Sequence, residues 1–319
     1  MQRSESSPVA VVDVGTARTK VTVVSHDSTG TVQFATDTID LSIAAAWSEE
    51  QDDGVRVCLD TIWKQARDVM GTAGVQTYCV LGAHAFRDEA YSSSVLSQAQ
   101  RTIGQVNVLT PAKEAILFFS AVMQAGCAAD SAVVIDVGGG SVQMAWGIEP
   151  SQFVTAPLGT YSIQDRFQKD LEHSLRPASD EWRDAYEAVC SALGEAPGAE
   201  SELKTLVVGS NVMADFFKSA FSVAGFDPID DGLYDRGSVS MLCELIGGIG
   251  YKELAKFFPE NPGFMYGADK LMLVVLAAID TIGATHCTGT NLSVSKGLAS
   301  LMIESPSTLA DLGFVTAEL

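Results

Sequence analysis

Two segments of this chain repeat one pattern 123 positions apart, counted from Asp13 to Asp136. The first is Val9-Ala10-Val11-Val12-Asp13-Val14-Gly15-Thr16, and the second is Ala132-Val133-Val134-Ile135-Asp136-Val137-Gly138-Gly139-Gly140-Ser141. Each begins as an apolar, β-branched run, which reads as a strand buried on both faces. Each then reaches an Asp, one more apolar residue and a glycine turn with a hydroxyl residue. Two halves that open alike point to an internal duplication. Glycines let a backbone approach an anion closely, and successive N–H groups in such a turn can cradle phosphate oxygens. The three glycines at 138–140 lose much backbone entropy on folding, which a close approach to a ligand would explain. Asp13 and Asp136 can hold a divalent cation or its water. Their plainer role is hydrogen bonding to turn amides. Two such turns facing each other would grip one phosphate chain from both sides.

The length of 319 residues suits two domains. The formal net charge of −20, from 40 acidic and 20 basic residues, repels nucleic acid and anionic membranes. No Lys/Arg cluster offsets it, so an anionic substrate would need a metal ion and a few arginines. Six cysteines are scattered without a Cys-x-x-Cys pair. They read as small buried hydrophobes of a reducing compartment. The polar N-terminal tail has no apolar signal core, and the longest apolar stretch, Leu271 to Ile279, is too short to span a bilayer. The expectation is a cytoplasmic protein with no nucleic-acid or membrane partner.

Along the chain, the pattern predicts strands at 9–14, 20–24 and 32–34, with Gly30 between the last two, and then a helix over 50–70. A strand at 77–82 leads into a helix opening at Ala83–Asp88. A short strand follows at 106–109, and Pro111 starts a helix from about 112 to 124. The loop from Gly126 to Ser131 is the expected crossing between domains. The second half has strands at 132–137, 142–146 and 153–155, helices over 161–175 and 180–193, a surface loop at 194–198 and a strand at 205–210. The remainder reads as helical apart from a strand at 292–294.

Several segments, in this order, resemble the exopolyphosphatase/guanosine-pentaphosphate phosphohydrolase family within the sugar kinase–Hsp70–actin fold. They are Val12–Thr16, Val80–Arg87, Lys113–Leu117, Ile135–Ser141, Pro157–Thr160, Val207–Ser210 and Gly267–Lys270, within residues 9–305. The resemblance implies an α/β fold of two actin-like (ribonuclease H-like) domains. Each would carry a five-stranded mixed sheet flanked by helices, with an active-site cleft between the domains. The boundaries would be 1–125, completed by a C-terminal helix within 296–319, and 126–295. Glu114 matches the general base for water attack on a terminal phosphorus; a carboxylate near phosphates gains basicity from like charge. From the sequence alone, the favoured reading of Glu114 is a solvated helix carboxylate paired with Lys113 or Arg101. Arg87 matches a phosphate-contacting arginine whose guanidinium can hold two oxygens, or else it pairs with Asp88 or Glu89. Gly15, Thr16, Gly138, Gly139, Gly140, Ser141 and Gly209 match phosphate-binding positions, and Arg18, which departs from the family's loop, could add a phosphate contact. Asp13, Asp136 and Gln143 match positions around Mg²⁺ or another divalent cation. His84 reads as a structural residue. The implied substrate is inorganic polyphosphate or guanosine pentaphosphate, and the implied assembly is a homodimer.

Three departures stand out. The family's first loop usually reads Asp-x-Gly-Ser-Asn-Ser, where this chain has Asp13-Val14-Gly15-Thr16-Ala17-Arg18. Gln143 stands where a metal-associated glutamate is expected, and an amide brings no charge. Ala83 and Ala85 replace hydroxyl residues near Arg87. The Asp-x-Gly-Thr-x-x-x-Lys form ending at Lys20 resembles carbohydrate kinases of the same superfold. Three readings therefore stand: a phosphohydrolase, a catalytically weak polyphosphate or guanosine-polyphosphate sensor, and a small-molecule kinase.

Overall fold

The computed structural model describes residues 7–27, 31–126, 132–147, 152–194, 205–304 and 306–319. The expected crossing at 127–131, most of the loop at 194–198, and Gly30 lie outside the described residues. The chain runs β1 (Val9–Val14), β2 (Thr19–His26), β3 (Val32–Ile39), α1 (Ile43–Thr72), β4 (Thr77–Gly82), α2 (Ser92–Thr102), β5 (Asn107–Val108) and α3 (Pro111–Gln124). It continues through β6 (Ala132–Val137), β7 (Val142–Trp146), β8 (Gln152–Ala156), α4 (Thr160–Phe167), α5 (Asp180–Ala192), β9 (Thr205–Gly209) and α6 (Met213–Val223). Then come β10 (Leu233–Asp235), α7 (Arg236–Ile246), α8 (Tyr251–Leu254), α9 (Ala268–Ile282), β11 (His286–Thr290), α10 (Val294–Glu304), α11 (Pro306–Asp311) and β12 (Ala317–Glu318). Two compact units result. Unit 1 is Met1–Lys113 with Val294–Leu319, and unit 2 is Glu114–Ser293. The division falls in the first turn of α3, whereas the sequence reading put it after that helix.

Unit 1 is built on a mixed sheet in the order β12-β4-β1-β2-β3, with β5 beside β4. β1 is central, antiparallel to β2 and parallel to β4, so Val11, Val12 and Val14 are buried across its two faces. α10 packs on β1 and β2, and the Thr22 hydroxyl donates to Ser295 Oγ at 3.2 Å. α1 is bent at Gln51, whose φ of 50° lies in the left-handed region. Gly54 sits against the bend; a Cβ there would come within 2.2 Å of the Ala46 carbonyl oxygen. After β4 there is a single 3-10 turn, His84–Phe86, and α2 starts only at Ser92. The helix expected to open at Ala83 is therefore broken.

Unit 2 repeats the arrangement in the order β10-β11-β9-β6-β7-β8. Both sheets have six strands, not five, because short edge pairings add β12 to the first and β10 to the second. The helix expected over 161–175 ends at Phe167. Gln168 stops it, its side-chain nitrogen donating to the carbonyls of Asp170 (2.8 Å) and His173 (2.6 Å). The late strand is β11, not 292–294. Polar His286-Cys287-Thr288-Gly289-Thr290 shows no apolar run, yet it pairs parallel to β9. Gly289 permits this, since a Cβ there would meet the Met213 carbonyl oxygen at 2.7 Å.

α9 is the axis of the unit 2 core and is buried along almost its whole length. Beside it lies an aromatic cluster in which Phe221 stacks on Tyr234 with ring centroids 3.8 Å apart. The Gly267-Ala268-Asp269-Lys270 segment is internal. Lys270 Nζ lies 3.0 Å from Asp269 Oδ1, and both side chains are fully buried. Lys270 also donates to Gln168 Oε1, the Tyr251 hydroxyl and the Tyr266 carbonyl, while Asp269 Oδ2 accepts the Leu175 N–H at 2.6 Å. The three Lys270 donors are thereby used, so Asp269 Oδ1 is held by the charge of Lys270 and has no hydrogen bond among the described residues. The five described cysteines are free thiols.

Candidate functional site

The loop after β1 is closed by a hydrogen bond from the Gly15 N–H to the Arg18 carbonyl at 3.0 Å. A Cβ on Gly15 would come within 2.7 Å of that oxygen, which is why the position is glycine. The Thr16 carbonyl accepts from the N–H groups of Ile43 and Ala44 and from the Ser42 hydroxyl. The loop thereby caps the N-terminus of α1. The Thr16 side chain is buried, and its hydroxyl has no hydrogen-bond partner among the described residues. Arg18 Nε lies 2.9 Å from Asp40 Oδ1. Asp13 is set opposite Lys20 across the β1–β2 ladder, so the two side chains share a face. Burial pushes the Asp13 carboxyl above its ordinary range, and Lys20 pulls it partly back.

The loop after β6 repeats the closing bond and the capping of a following helix. The Gly138 N–H bonds the Ser141 carbonyl at 2.9 Å. The Gly138 carbonyl accepts from Thr160 N–H, and the Gly139 carbonyl from Tyr161 and Ser162 N–H. The Ser162 hydroxyl bonds the Gly140 carbonyl. This loop caps α4 as the first loop caps α1. In a trans peptide the N–H points opposite the C=O. With the carbonyls of 138 and 139 turned to α4, the N–H groups of Gly139 and Gly140 face away from it. Neither is used in a backbone hydrogen bond among the described residues. Consecutive outward amides of this kind form an anion-binding nest.

Gly159 lets α4 come this close, since a Cβ there would sit 2.4 Å from the Gly138 oxygen and the Gly139 carbon. That explains the Pro157–Thr160 segment. Gln143 is buried opposite Asp136, and its Nε2 donates to Ser141 Oγ at 2.7 Å. Asp136 and Gln143 share a sheet face, and each has an oxygen suited to a hard divalent cation. Among the described residues there is no cluster of three His, Cys, Asp or Glu side chains. A Mg²⁺ ion held by one carboxylate, an amide oxygen, waters and substrate phosphates fits that donor set.

Glu114 lies in the first turn of α3 and is only 6% exposed, so it is not a solvated surface carboxylate. Lys113 turns elsewhere: its Nζ donates to the Leu312 carbonyl and lies over the Phe314 ring. The Arg87 guanidinium donates to the Leu109 carbonyl, which ties it to the segment leading into α3. His84 lies 3.6 Å from Asp88 in a local pair. Gly209 has a packing reason to be glycine, because a Cβ there would meet the Phe118 ring at 2.0 Å. Within unit 1 the predicted residues Asp13, Gly15, Thr16 and Arg18 form one loop. Within unit 2, Asp136, Gly138–Ser141 and Gln143 form the other. Sequence reasoning did not single out Asn211, just after β9, whose side-chain nitrogen and oxygen are both buried without partners among the described residues. An Asn following a strand-terminal glycine is the only signal it offers.

The Ppx/GppA phosphatase family model matches residues 45–257, and the chain belongs to that family. Solved structures share the fold at low identity. A Ppx/GppA family member from Aquifex aeolicus matches with a TM-score of 0.69 at 17% identity, covering 93% of this chain and 98% of that one. An exopolyphosphatase from Cytophaga hutchinsonii matches with a TM-score of 0.70 at 16% identity, over 93% and 98%. An exopolyphosphatase-like protein gives 0.70 at 13% identity, over 95% and 99%. The actin-like architecture of two mixed sheets flanked by helices is common to them.

Proposed function

We propose that the protein is a phosphohydrolase that releases orthophosphate from the end of inorganic polyphosphate or, in the same reaction class, from guanosine pentaphosphate. The observation that carries this is the nest at Gly139 and Gly140, whose two N–H groups face outward because the carbonyls of Gly138 and Gly139 are spent on α4. Family membership supplies the reaction class. The nest holds the oxygens of a terminal phosphate. Glu114 takes a proton from water as the water oxygen bonds the terminal phosphorus. The bridging P–O bond breaks, and its oxygen leaves with a chain one phosphate shorter. Thr16, Arg18 and Arg87 contribute further phosphate contacts, Arg18 and Arg87 by exchanging a present partner for phosphate. A divalent ion held by Asp136 and Gln143, and by Asp13 in its own loop, neutralises phosphate charge when bound. Most of the rate enhancement comes from positioning and electrostatics.

The test is incubation with long-chain polyphosphate and Mg²⁺, following orthophosphate, with Glu114→Gln as control. Loss of a general base lowers turnover by about 10²–10⁴-fold, so release should all but vanish in the variant. A specific observation supports a second reading, a catalytically weak polyphosphate or guanosine-polyphosphate sensor. Gln143 brings no charge and is already bonded to Ser141. Measurable polymer binding without release would establish that reading. Neither binding nor release would sink both. ATP-dependent phosphorylation of a hydroxyl substrate would point instead to the kinase reading based on Thr16 and Lys20. Cytoplasmic location and a homodimer remain part of the proposal; fractionation and sedimentation velocity test them.

A further inference from the structure

Unit 2 contains a solvent-open pocket of about 460 Å³ that the phosphate-loop chemistry does not use. Pockets of roughly 300–1,000 Å³ take small organic ligands. The floor is apolar, formed by Pro177, Trp182, Cys243 and Leu276, and the rim carries Arg183, Arg236, Ser240 and Glu244. The pocket is well separated from the Gly138–Ser141 loop. Gly267 precedes α9 and sits beside Thr160, which caps onto Gly138. Leu276 and Asp280, further along α9, line the pocket. At 1.5 Å per residue they lie about 14 and 20 Å along the helix axis from Gly267.

Its polar groups are arranged. Arg236 binds Asp280 through Nε to Oδ1 and through Nη2 to Oδ2, the latter at 2.8 Å. The Tyr186 hydroxyl also donates to Asp280 Oδ2. The carboxylate's charge is thus taken up, and the guanidinium is fixed with its Nη1 outside these bonds. Arg183 uses Nη2 on Asp180 at 2.6 Å, which leaves its Nε and Nη1 outside that pair. Glu244, exposed on the rim, and Asp184 and Glu187, which lie near enough to Arg183 to act on its charge, are the opposing charges that an anion meets here. At the lip, Ala178 holds a φ of 63°, a left-handed conformation that costs a non-glycine residue energy. Such strain persists where surroundings enforce it, and it clusters at ligand clamps. Pro177, next to Ala178, packs tightly on Gly247, where a Cβ would come within 2.0 Å of Pro177 Cδ.

We propose that this pocket binds a small organic anion with a flat aromatic body. The body lies on the apolar floor, and the acid group meets Arg183 and the outward edge of Arg236. The probe is 8-anilinonaphthalene-1-sulfonate, a flat aromatic sulfonate, titrated by fluorescence into the whole protein. The expected result is one saturable site per chain, weakened by added salt and unchanged in Glu114→Gln. Ser240→Phe, which fills the rim, should weaken binding by at least about tenfold, and Arg183→Met by about fivefold. Melting curves of each variant exclude signal from a loosened core. Non-saturating fluorescence, or equal affinity in Ser240→Phe, overturns the proposal. If Ser240→Phe fails to fold, Arg183→Met decides alone, because its side chain is exposed and unchanged affinity there also overturns it.

Discussion

The Thr16 hydroxyl is buried without a partner among the described residues, in a loop whose Thr16 carbonyl already caps α1. A buried, unmatched hydroxyl costs stability. Thr16→Val, of the same shape, should therefore leave the fold unharmed or stabilise it by up to about 1 kcal/mol. If the hydroxyl serves a phosphate oxygen, the same change should weaken polyphosphate binding by about five- to tenfold. Urea melts and a binding titration on one preparation check the opposed signs. A destabilised variant would mean that the hydroxyl is satisfied in solution. The glycines show how far such positions could be read from sequence. The run at 138–140 was legible because no side chain could explain it. Gly159, Gly82 and Gly209 look the same on paper, yet each answers to one neighbour: the 138–139 backbone, the Phe86 ring and the Phe118 ring. Those neighbours are set by tertiary packing, so a phosphate role and a packing role for Gly209 could not be separated from the sequence. Glu114 is the converse. Its burial on α3 has no local signature, because Lys113 and Glu114 alternate as any exposed pair would.

Among the elements, α9 holds two charged arrangements with different consequences. Lys270→Met would leave Asp269 charged and buried, with a cost of about 3–5 kcal/mol. Asp269→Asn/Lys270→Met should cost much less than the sum of the two single changes, because each single change strands the other partner. Denaturant melts of the four proteins give the coupling energy, and additivity would show that the pair is not coupled. At the other end of α9, burial pushes the Asp280 carboxyl up. The bonds from Arg236 and Tyr186 outweigh that and hold it below the ordinary value. A depressed folded-state pKa contributes stability above the unfolded value of about 3.9, and this is lost as pH falls through the folded one. The advantage of the wild type over Asp280→Asn should therefore be full at pH 7 and shrink below about pH 4; an advantage independent of pH would show that the carboxylate charge is irrelevant. Strands with continuous apolar runs, β1, β6 and β9, were legible because burial on both faces leaves a periodic signature. β10, β11 and β12 were not, because two are very short and β11 is polar and glycine-containing. Their pairing is decided by neighbours already in place. α4 ended early for a similar reason, since Gln168 leaves the helix and its side chain holds the Asp170 and His173 carbonyls of the segment beyond, outside any helical period.

At the scale of the whole molecule, unit 1 is discontinuous while unit 2 is a single run of chain, Glu114–Ser293. The contact between Thr22 and Ser295 spans 273 positions, and no local pattern encodes it. α10 covers β1 and β2, and β12 pairs with the edge of β4. Ending the chain at Ser293 removes both, which exposes the apolar residues of the central strand pair to water. Unit 2 loses no strand and keeps α9 at its centre. Each buried apolar side chain returned to water costs about 1.5–3 kcal/mol, and a few of these exceed the stability of an ordinary domain. Hydrogen exchange of the chain ending at Ser293 should show β1, β2 and β4 exchanging as in an unfolded chain, with β6, β9 and α9 still protected. If unit 2 lost protection as well, the two units would form one cooperative structure joined through α3, whose first turn carries the division between them. That outcome would also bear on the chemistry. Glu114 sits just past the division, so a helix that transmits unfolding from one unit to the other would also fix where its carboxylate stands.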